Sequence, residues 1–473
     1  MKNRIVSKLV LAAVLAGALP AAASAHDCDR NLDDGPRAAE YSRWWAPAVA
    51  PHDPTRRPSW RSTGVRVISE RVSRVLSFAA FFAISLAIMG GMHWYLWMRL
   101  VRDPGLADPW RRILTIAFLV LTFSIPIGML ALRLAPRPFD RLIPVAAFTW
   151  LGLAFLLFVA VLALDLARLA AEGASLALAH LRSLPEPPAD PSRRLFVARA
   201  LAGTAVAAAA GTSAFAFRSA TGPAQVSEVP VRLQRLPGAL SGFTIAQLSD
   251  LHVGPTIGER HVRRIVDQVN ALRPDLIAVT GDLVDGTVGE LSTAISHLAR
   301  LSARHGVFFV TGNHEYYAGV DPWLEELRRL GVRVLRNERV SVGDAGASFD
   351  LAGVDDFSAR SFGHGHGLDL ERALHGRDPE RSLVLLAHQP RVAAVAEAVR
   401  AGVELQVSGH THGGQIAPWN VVVAAVFPYV KGLYPHAENG RAGQVYVSRG
   451  TGYWGPPMRL GAPPEIAKLV LTT

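Results

Sequence analysis

Cysteine and lysine are scarce in this chain. Its 473 residues include one cysteine, Cys28, and only four lysines against 45 arginines. A single thiol excludes an internal disulfide framework and any cysteine-ligated zinc or iron–sulfur centre. The arginine preference reads as codon bias rather than function. Three catalytic signatures are also missing: the G-x-x-x-x-G-K-[ST] phosphate loop, H-E-x-x-H and G-x-S-x-G. Readings as a P-loop NTPase, a zincin or an elbow-type serine hydrolase therefore lack support. Apolar residues, by contrast, make up 50% of the chain, which excludes a disordered protein. At roughly 150 residues per domain, the length suggests two or three units.

The net charge of +10 invites a nucleic-acid reading, but its distribution opposes one. Residues 1–220 carry a balance of +11 and the remainder a balance of −1. All the excess positive charge sits in the apolar half. Basic residues flanking apolar spans are what membrane topology demands, so no nucleic-acid polymer is expected as a partner.

Residues 1–25 combine a basic start (Lys2, Arg4, Lys8), an apolar run from Leu9 to Leu19, and Ala23-Ser24-Ala25. This is the form of a secretory signal peptide, an uncleaved anchor being the alternative. Residues 26–74 form a polar, Arg-rich loop. A membrane module is then expected over 75–218. It holds four apolar runs at about 75–98, 113–132, 142–164 and 195–217. Each reaches the roughly 20 residues needed to cross a bilayer as a helix. The last run follows Ser192-Arg193-Arg194-Leu195-Phe196, which is either a twin-arginine-like export signal or an ordinary arginine pair before a membrane helix. Both readings keep Arg193 and Arg194 inside. Arginine counts on the other loops are nearly balanced. The signal-like start and the arginine pair favour an inner-membrane, multi-pass protein with its C-terminal half outside the cytoplasm. Ionisable residues within the runs are few, chiefly His93 and Asp165. The module therefore reads as an anchor rather than a transporter.

Beyond about Val226 short β-rich runs appear: Phe243–Leu248, Leu276–Thr280, Val307–Thr311, Leu383–Ala387, Leu405–Ser408, Val445–Ser448 and Ala467–Leu471. Helical patterns at Glu259–Leu272, Leu291–Arg304, Pro322–Leu330 and Arg391–Ala401 separate several of them. Such alternation predicts an α/β sheet core with helices on its faces. Sites in α/β folds collect beyond the carboxyl ends of strands, and five strand-end loops here carry Asp, Asn or His. They are Ser249-Asp250-Leu251-His252, Gly281-Asp282-Leu283-Val284-Asp285-Gly286, Gly312-Asn313-His314-Glu315, Ala387-His388-Gln389-Pro390, and Gly409-His410-Thr411-His412-Gly413-Gly414.

Imidazole and carboxylate together suit Zn, Mn or Fe. On an extended segment Asp250 and His252 would point to one side, as would His410 and His412. Two such forks are more than one ion requires, and a shared carboxylate could bridge a pair. A lone His or Asp in a loop is usually a cap or turn residue; five loops in consistent positions are not.

These residues resemble the calcineurin-like metallophosphoesterase superfamily, whose elements D-x-H, G-D-x-x-D, G-N-H-[DE], H and G-H-x-H all occur in order over about 226–473. The Ser249–Gly254 and Gly409–Gln415 runs, together with Ser448-Arg449-Gly450-Thr451-Gly452, Arg459 and Pro464-Glu465-Ile466, are similar to its membrane-associated bacterial subgroup, which includes twin-arginine-exported phosphodiesterases. The resemblance implies a four-layer α/β/β/α sandwich behind an all-α transmembrane module. It implies two divalent metal ions (Mn, Fe or Zn). Asp250, His252 and His412 would hold the first, and Asn313, His388 and His410 the second, with Asp282 bridging. His314 would be catalytic, acting on the substrate phosphate or the leaving oxygen while a metal-bridging hydroxide attacks phosphorus. Glu315 would orient His314 or a neighbouring loop, or else join Arg459 in binding substrate; Arg459 reads equally as the partner in a surface ion pair. Asp285 is expected as a turn acceptor.

The Gly363-His364-Gly365-His366-Gly367 run reads as a mobile loop at the edge of the substrate cleft, a third metal site being the alternative, and Tyr453 and Trp454 read as packing or stacking residues. The implied activity is hydrolysis of a phosphodiester or pyrophosphate of a phosphorylated small molecule or lipid-linked substrate at a membrane. Two alternatives remain: a general exported phosphatase or nucleotidase, and a non-catalytic membrane sensor.

Overall fold

The computed structural model describes residues 83–136, 138–182, 190–344 and 346–473. The signal-like segment, the Arg-rich loop and the first residues of the 75–98 run lie outside them. The described chain divides into two compact units, the first ending at Phe215 and the second beginning at Ala216.

In the first unit, helix α1 covers residues 83–97 and ends in a π turn, Met98–Arg102. The 113–132 run is not one straight helix. It forms α2 (Trp110–Thr122) and α3 (Ser124–Leu134), bent by 50° at Phe123. Pro126 explains the break. It has no N–H to give the carbonyl one turn earlier, and its ring crowds that carbonyl. α4 (Phe139–Leu181) and α5 (Pro191–Thr221) are longer than the predicted spans, at 43 and 31 residues. Among the described residues two helices, α4 and α5, are long and apolar enough to cross a membrane, or three spans if the bent pair counts as one.

Both polar residues noted in this half have partners. Asp165 pairs with Arg99 at 2.7 Å and accepts from Tyr95 Oη at 2.5 Å. His93 accepts from Trp150 Nε1 at 2.9 Å. Buried polar groups so satisfied tie α1 to α4 and fit an anchor.

In the second unit, strands β3 (Leu276–Thr280), β4 (Val307–Val310), β8 (Leu383–Leu386) and β9 (Leu405–Ser408) are buried along their whole length. That pattern belongs to strands covered on both faces. With β1 (Gln225–Arg232), β2 (Thr244–Leu248), β5 (Arg333–Val334) and β12 (Glu465–Thr472), two of them build a sheet of order β1-β12-β2-β3-β4-β5. With β6 (Glu338–Asp344), β7 (Ala347–Gly353), β10 (Gly432–Glu438) and β11 (Arg441–Val447), the others build a second sheet, β10-β11-β9-β8-β7-β6.

The two sheets face each other across one core. Ile245, Leu276, Phe308 and Leu469 from the first meet Phe349, Leu351, Val384 and Val407 from the second. Each such side chain contributes about 1.5–3 kcal/mol by leaving water. Helices α6 (Glu259–Ala271), α7 (Val288–Ile295), α8 (Asn313–Ala318) and α9 (Val320–Arg329) lie on the first sheet's side of this core. α6 shows why: Val262, Ile265, Val266 and Val269 recur at helical spacing and are all buried. α10 (Leu370–Leu374) and α11 (Val392–Arg400) cover the second sheet. The result is the expected four-layer α/β/β/α sandwich.

Candidate metal centre

β2, β3 and β4 run parallel in one sheet, and β8 and β9 run parallel in the other. Their carboxyl ends deliver the five loops to one place. Asp250, His252, Asp282, Asn313, His388 and His412 are all buried. Three triads converge: Asp250–His252–His412, His252–Asp282–His314 and Asp282–His388–His410, the ligand atoms of each lying within 4.8 Å of one another. His252 Nε2 stands 3.1 Å from His412 Nε2. Asp282 Oδ2 lies 3.1 Å from His388 Nε2 and 3.9 Å from His252 Nε2. His410 Nδ1 is 3.3 Å from His388 Nε2.

The convergence is not achieved as expected. Asp250, His252, Asp282, His410 and His412 all have positive φ, between 50° and 73°. The D-x-H and H-x-H segments are therefore not extended forks. Left-handed turns aim each side chain, a conformation that costs non-glycine residues of order 1 kcal/mol or more and that clusters at functional sites. Glycines allow the loops to touch. A Cβ on Gly409 would lie 2.3 Å from Asp250 Oδ2, and one on Gly312 would lie 2.2 Å from Asp282 Oδ1.

A surrounding set of bonds fixes the rings. Asp285 Oδ1 accepts from His252 Nδ1 at 2.9 Å and from His314 Nδ1 at 2.6 Å. His388 Nδ1 donates to the Thr280 carbonyl at 2.7 Å. The His410 N–H donates to Asp250 at 2.9 Å and the His314 N–H to Asp282 at 2.9 Å. Binding each imidazole through one nitrogen leaves the other aimed inward.

A profile described as calcineurin-like phosphoesterase matches residues 243–414. The Danio rerio protein named transmembrane protein with metallophosphoesterase domain is 36% identical over 427 residues, covering 86% of this chain and 93% of its own. The chain belongs to the calcineurin-like phosphoesterase family. The Bos taurus protein of the same name is 38% identical over 410 residues, 83% of this chain and 88% of its own. An uncharacterized metallophosphoesterase of Helicobacter pylori (strain J99 / ATCC 700824) is 39% identical over 248 residues, 52% of this chain and 64% of its own. The vertebrate alignments reach past the phosphoesterase domain into the apolar half.

The residues present fit the divalent metals of this family. Asn313 Oδ1 is buried and has no hydrogen-bond partner within the protein. An orphaned acceptor beside converging imidazole nitrogens and carboxylates is the donor set that a cation satisfies. Burial, and then the nearby Arg459 charge, hold His412 well below the ordinary histidine range, in the neutral form that ligates. Burial opposes charge on His388, but Asp282 and Asp250 raise it well above that range. On His314 burial also opposes charge; Asp282 and Asp285 outweigh it and raise the imidazole to about 9.

Arg459, read as a substrate contact or an ion-pair residue, and Glu315, read as orienting His314 or a loop or else contacting substrate, are both fully buried. Arg459 donates to the carbonyls of Gly452, His412 and Arg449, and its guanidinium lies 2.9 Å from His412 Nδ1. Glu315 accepts from the N–H groups of Gly312 at 2.6 Å, Leu283 at 2.7 Å and Asp282 at 3.0 Å. Both position ligand loops from behind, and both are fully engaged in doing so.

Asp285 holds two histidines, a role its reading as a turn acceptor missed; its place in G-D-x-x-D was the available signal. Among the described residues, no histidine of the 363–367 loop belongs to a triad; His366 packs on Tyr316 and its Nδ1 lies 2.9 Å from Arg336. Tyr317 and Trp454, both more than half exposed, edge the ring of His314 at 5.2 and 5.8 Å.

Proposed function

We propose that this chain is a membrane-anchored dimetal phosphohydrolase that cleaves a phosphodiester or pyrophosphate bond of a lipid-linked or nucleotide substrate, with its phosphoesterase domain outside the cytoplasm. The observation that carries the reading is the position of Asp282. Its carboxylate belongs to two triads at once, with His314 beside it. Asp250, His252 and His412 would hold one ion; Asn313, His388 and His410 the other; Asp282 would touch both. Two divalent cations bound there would neutralise phosphoryl oxygens and acidify water.

The chain's own residues supply the rest. His314 takes a bond from Nδ1 to Asp285, which leaves Nε2 to face the substrate. In its protonated form, with Nδ1 held by Asp285, it would donate the proton that the departing oxygen needs. Glu315 and Arg459 keep the ligand loops from relaxing. Intact donors and a histidine placed beside them by Asp285 favour catalysis over sensing, because a binding-only domain has no chemical need for a proton donor.

The test uses the full chain, purified in detergent, stripped of metal and resupplied with Mn, Zn or Fe. A chromogenic phosphodiester should be turned over only with metal, and Asp282→Ala should abolish turnover. Metal uptake without turnover of any monoester, diester or pyrophosphate would favour the sensor. A phosphatase reporter fused after Thr473 should be active only if that end lies outside the cytoplasm.

A further inference from the structure

Two neighbouring residues at the rim of the candidate metal centre turn opposite ways. Tyr453 is 4% exposed, and its hydroxyl donates to the Thr256 carbonyl at 2.9 Å. Trp454 points outward and is 57% exposed. A lone exposed tryptophan is ordinary on a protein surface. This one has company. Its ring lies 5.8 Å from that of His314, and Tyr317, 55% exposed, lies 5.2 Å from the same imidazole. Two large aromatic rings, each more than half exposed, therefore border the candidate proton donor.

Both rings are held in place by the fold. Tyr317 stands three residues after His314 on α8, a spacing that puts them on one helix face. The Phe362 ring packs on it at 5.6 Å. The Trp454 N–H donates to Gln415 Oε1 at 3.0 Å, and Gln415 Nε2 donates to the Trp454 carbonyl at 2.9 Å. Two residues earlier, the Gly452 N–H donates to the Asp250 carbonyl at 3.0 Å, and a Cβ on Gly452 would lie 2.1 Å from the Leu251 carbonyl oxygen. The tryptophan's loop is thus tied to the segments that carry Asp250 and His412. These bonds use the main chain of residues 452 and 454, which leaves the indole to a ligand. A ring fixed in this way loses little conformational freedom on binding.

We infer that Trp454 and Tyr317 form a stacking subsite for a planar heteroaromatic ring, of the kind a nucleoside carries, on the part of the substrate next to His314. The inference rests on the hydrolase reading above for its substrate and on these contacts for its place. In that reading the group bonded to the departing oxygen lies beside His314, and so against both rings. Aromatic faces and edges attract planar π systems by offset stacking or edge contact. Every nucleobase offers such a face, so the subsite selects for a base without choosing among bases.

The full chain in detergent, loaded with Mn, is titrated calorimetrically with two ligands. One is α,β-methylene-ADP, whose bridging carbon resists cleavage; the other is the same bisphosphonate on ribose without the base. The base should tighten binding about 5–100-fold. Trp454→Phe should keep most of that gain. Trp454→Leu, apolar but not planar, should lose most of it, and Tyr317→Leu should reduce it. Equal affinity for the two ligands, or no binding of either, would overturn the inference. So would a gain that survives in Trp454→Leu, by showing apolar contact without stacking. A loss in Trp454→Leu matched by a fall in metal content would also overturn it, by showing a structural role. Turnover of ADP and of ribose 5-diphosphate is measured alongside. Turnover of both with no base-dependent affinity would remove the subsite and leave the hydrolase reading. A base-dependent gain lost in Trp454→Leu, without turnover of either, would sink the hydrolase reading and leave the subsite standing.

Discussion

Asp285 Oδ1 lies 2.6 Å from His314 Nδ1. The same oxygen holds His252, so one carboxylate orients both a candidate ligand and the candidate proton donor. Asp285→Asn keeps the shape and removes the charge. Turnover should fall about 10–100-fold, the usual effect of losing such a supporting partner. The alkaline limb of kcat/KM should also move to lower pH, because His314 then gives up its proton earlier. A profile unchanged in position would rule out this role.

Replacing His314 tests donation more directly. His314→Ala should lower kcat on an alkyl phosphodiester by about 10²–10⁴-fold. The loss should shrink for a p-nitrophenolate leaving group, which departs without a proton. Elemental analysis should find metal content unchanged. Equal losses on both substrates would point to a binding role instead.

The metal-free protein has its own pH dependence. There His314 sits at about 9, above its ordinary range, so it is cationic at neutral pH. Its ion pairs with Asp282 and Asp285 then contribute fully below pH about 6.5 and fade as pH rises through 9. The Tm of metal-stripped protein should fall over that window, and the fall should flatten in Asp285→Asn.

Glu315 gathers three backbone N–H groups in a fully buried position. Glu315→Gln forces an amide NH2 against at least one donor, a mismatch worth about 1–3 kcal/mol. Denaturant unfolding of the metal-free protein should register that loss, and metal affinity should drop as the Asp282 loop loosens.

At Gly409 an added methyl would lie 1.9 Å from Ser249 Oγ and 2.3 Å from Asp250 Oδ2. Gly409→Ala should push the Asp250 loop away and cost metal at its triad. Titration with Mn should then give fewer equivalents bound than in the unaltered protein.

The interior of the phosphoesterase fold was legible in the sequence, and its margins were not. β3 and β9 appear where apolar runs predicted them. The unread strands β1, β5, β6 and β10 are the four sheet edges. An edge strand is half solvated, so it lacks a continuous apolar run, and Pro230 and Pro435 sit within two of them. β7 is interior, but Ser348 and Asp350 interrupt its pattern. At the site, residue types and spacing pointed to the triad members. The roles of Asp285, Glu315 and Arg459 depend on which backbone groups the loops bring near, and spacing does not encode that.

Asp250, Asp282 and Asn313 stand on loops of one sheet, whereas His388, His410 and His412 stand on loops of the other. Ions held among them would rivet the two halves of the sandwich across their seam. Chelation should therefore do more than silence turnover: it should lower the melting temperature of the whole sandwich, while the shared apolar core keeps the two sheets together.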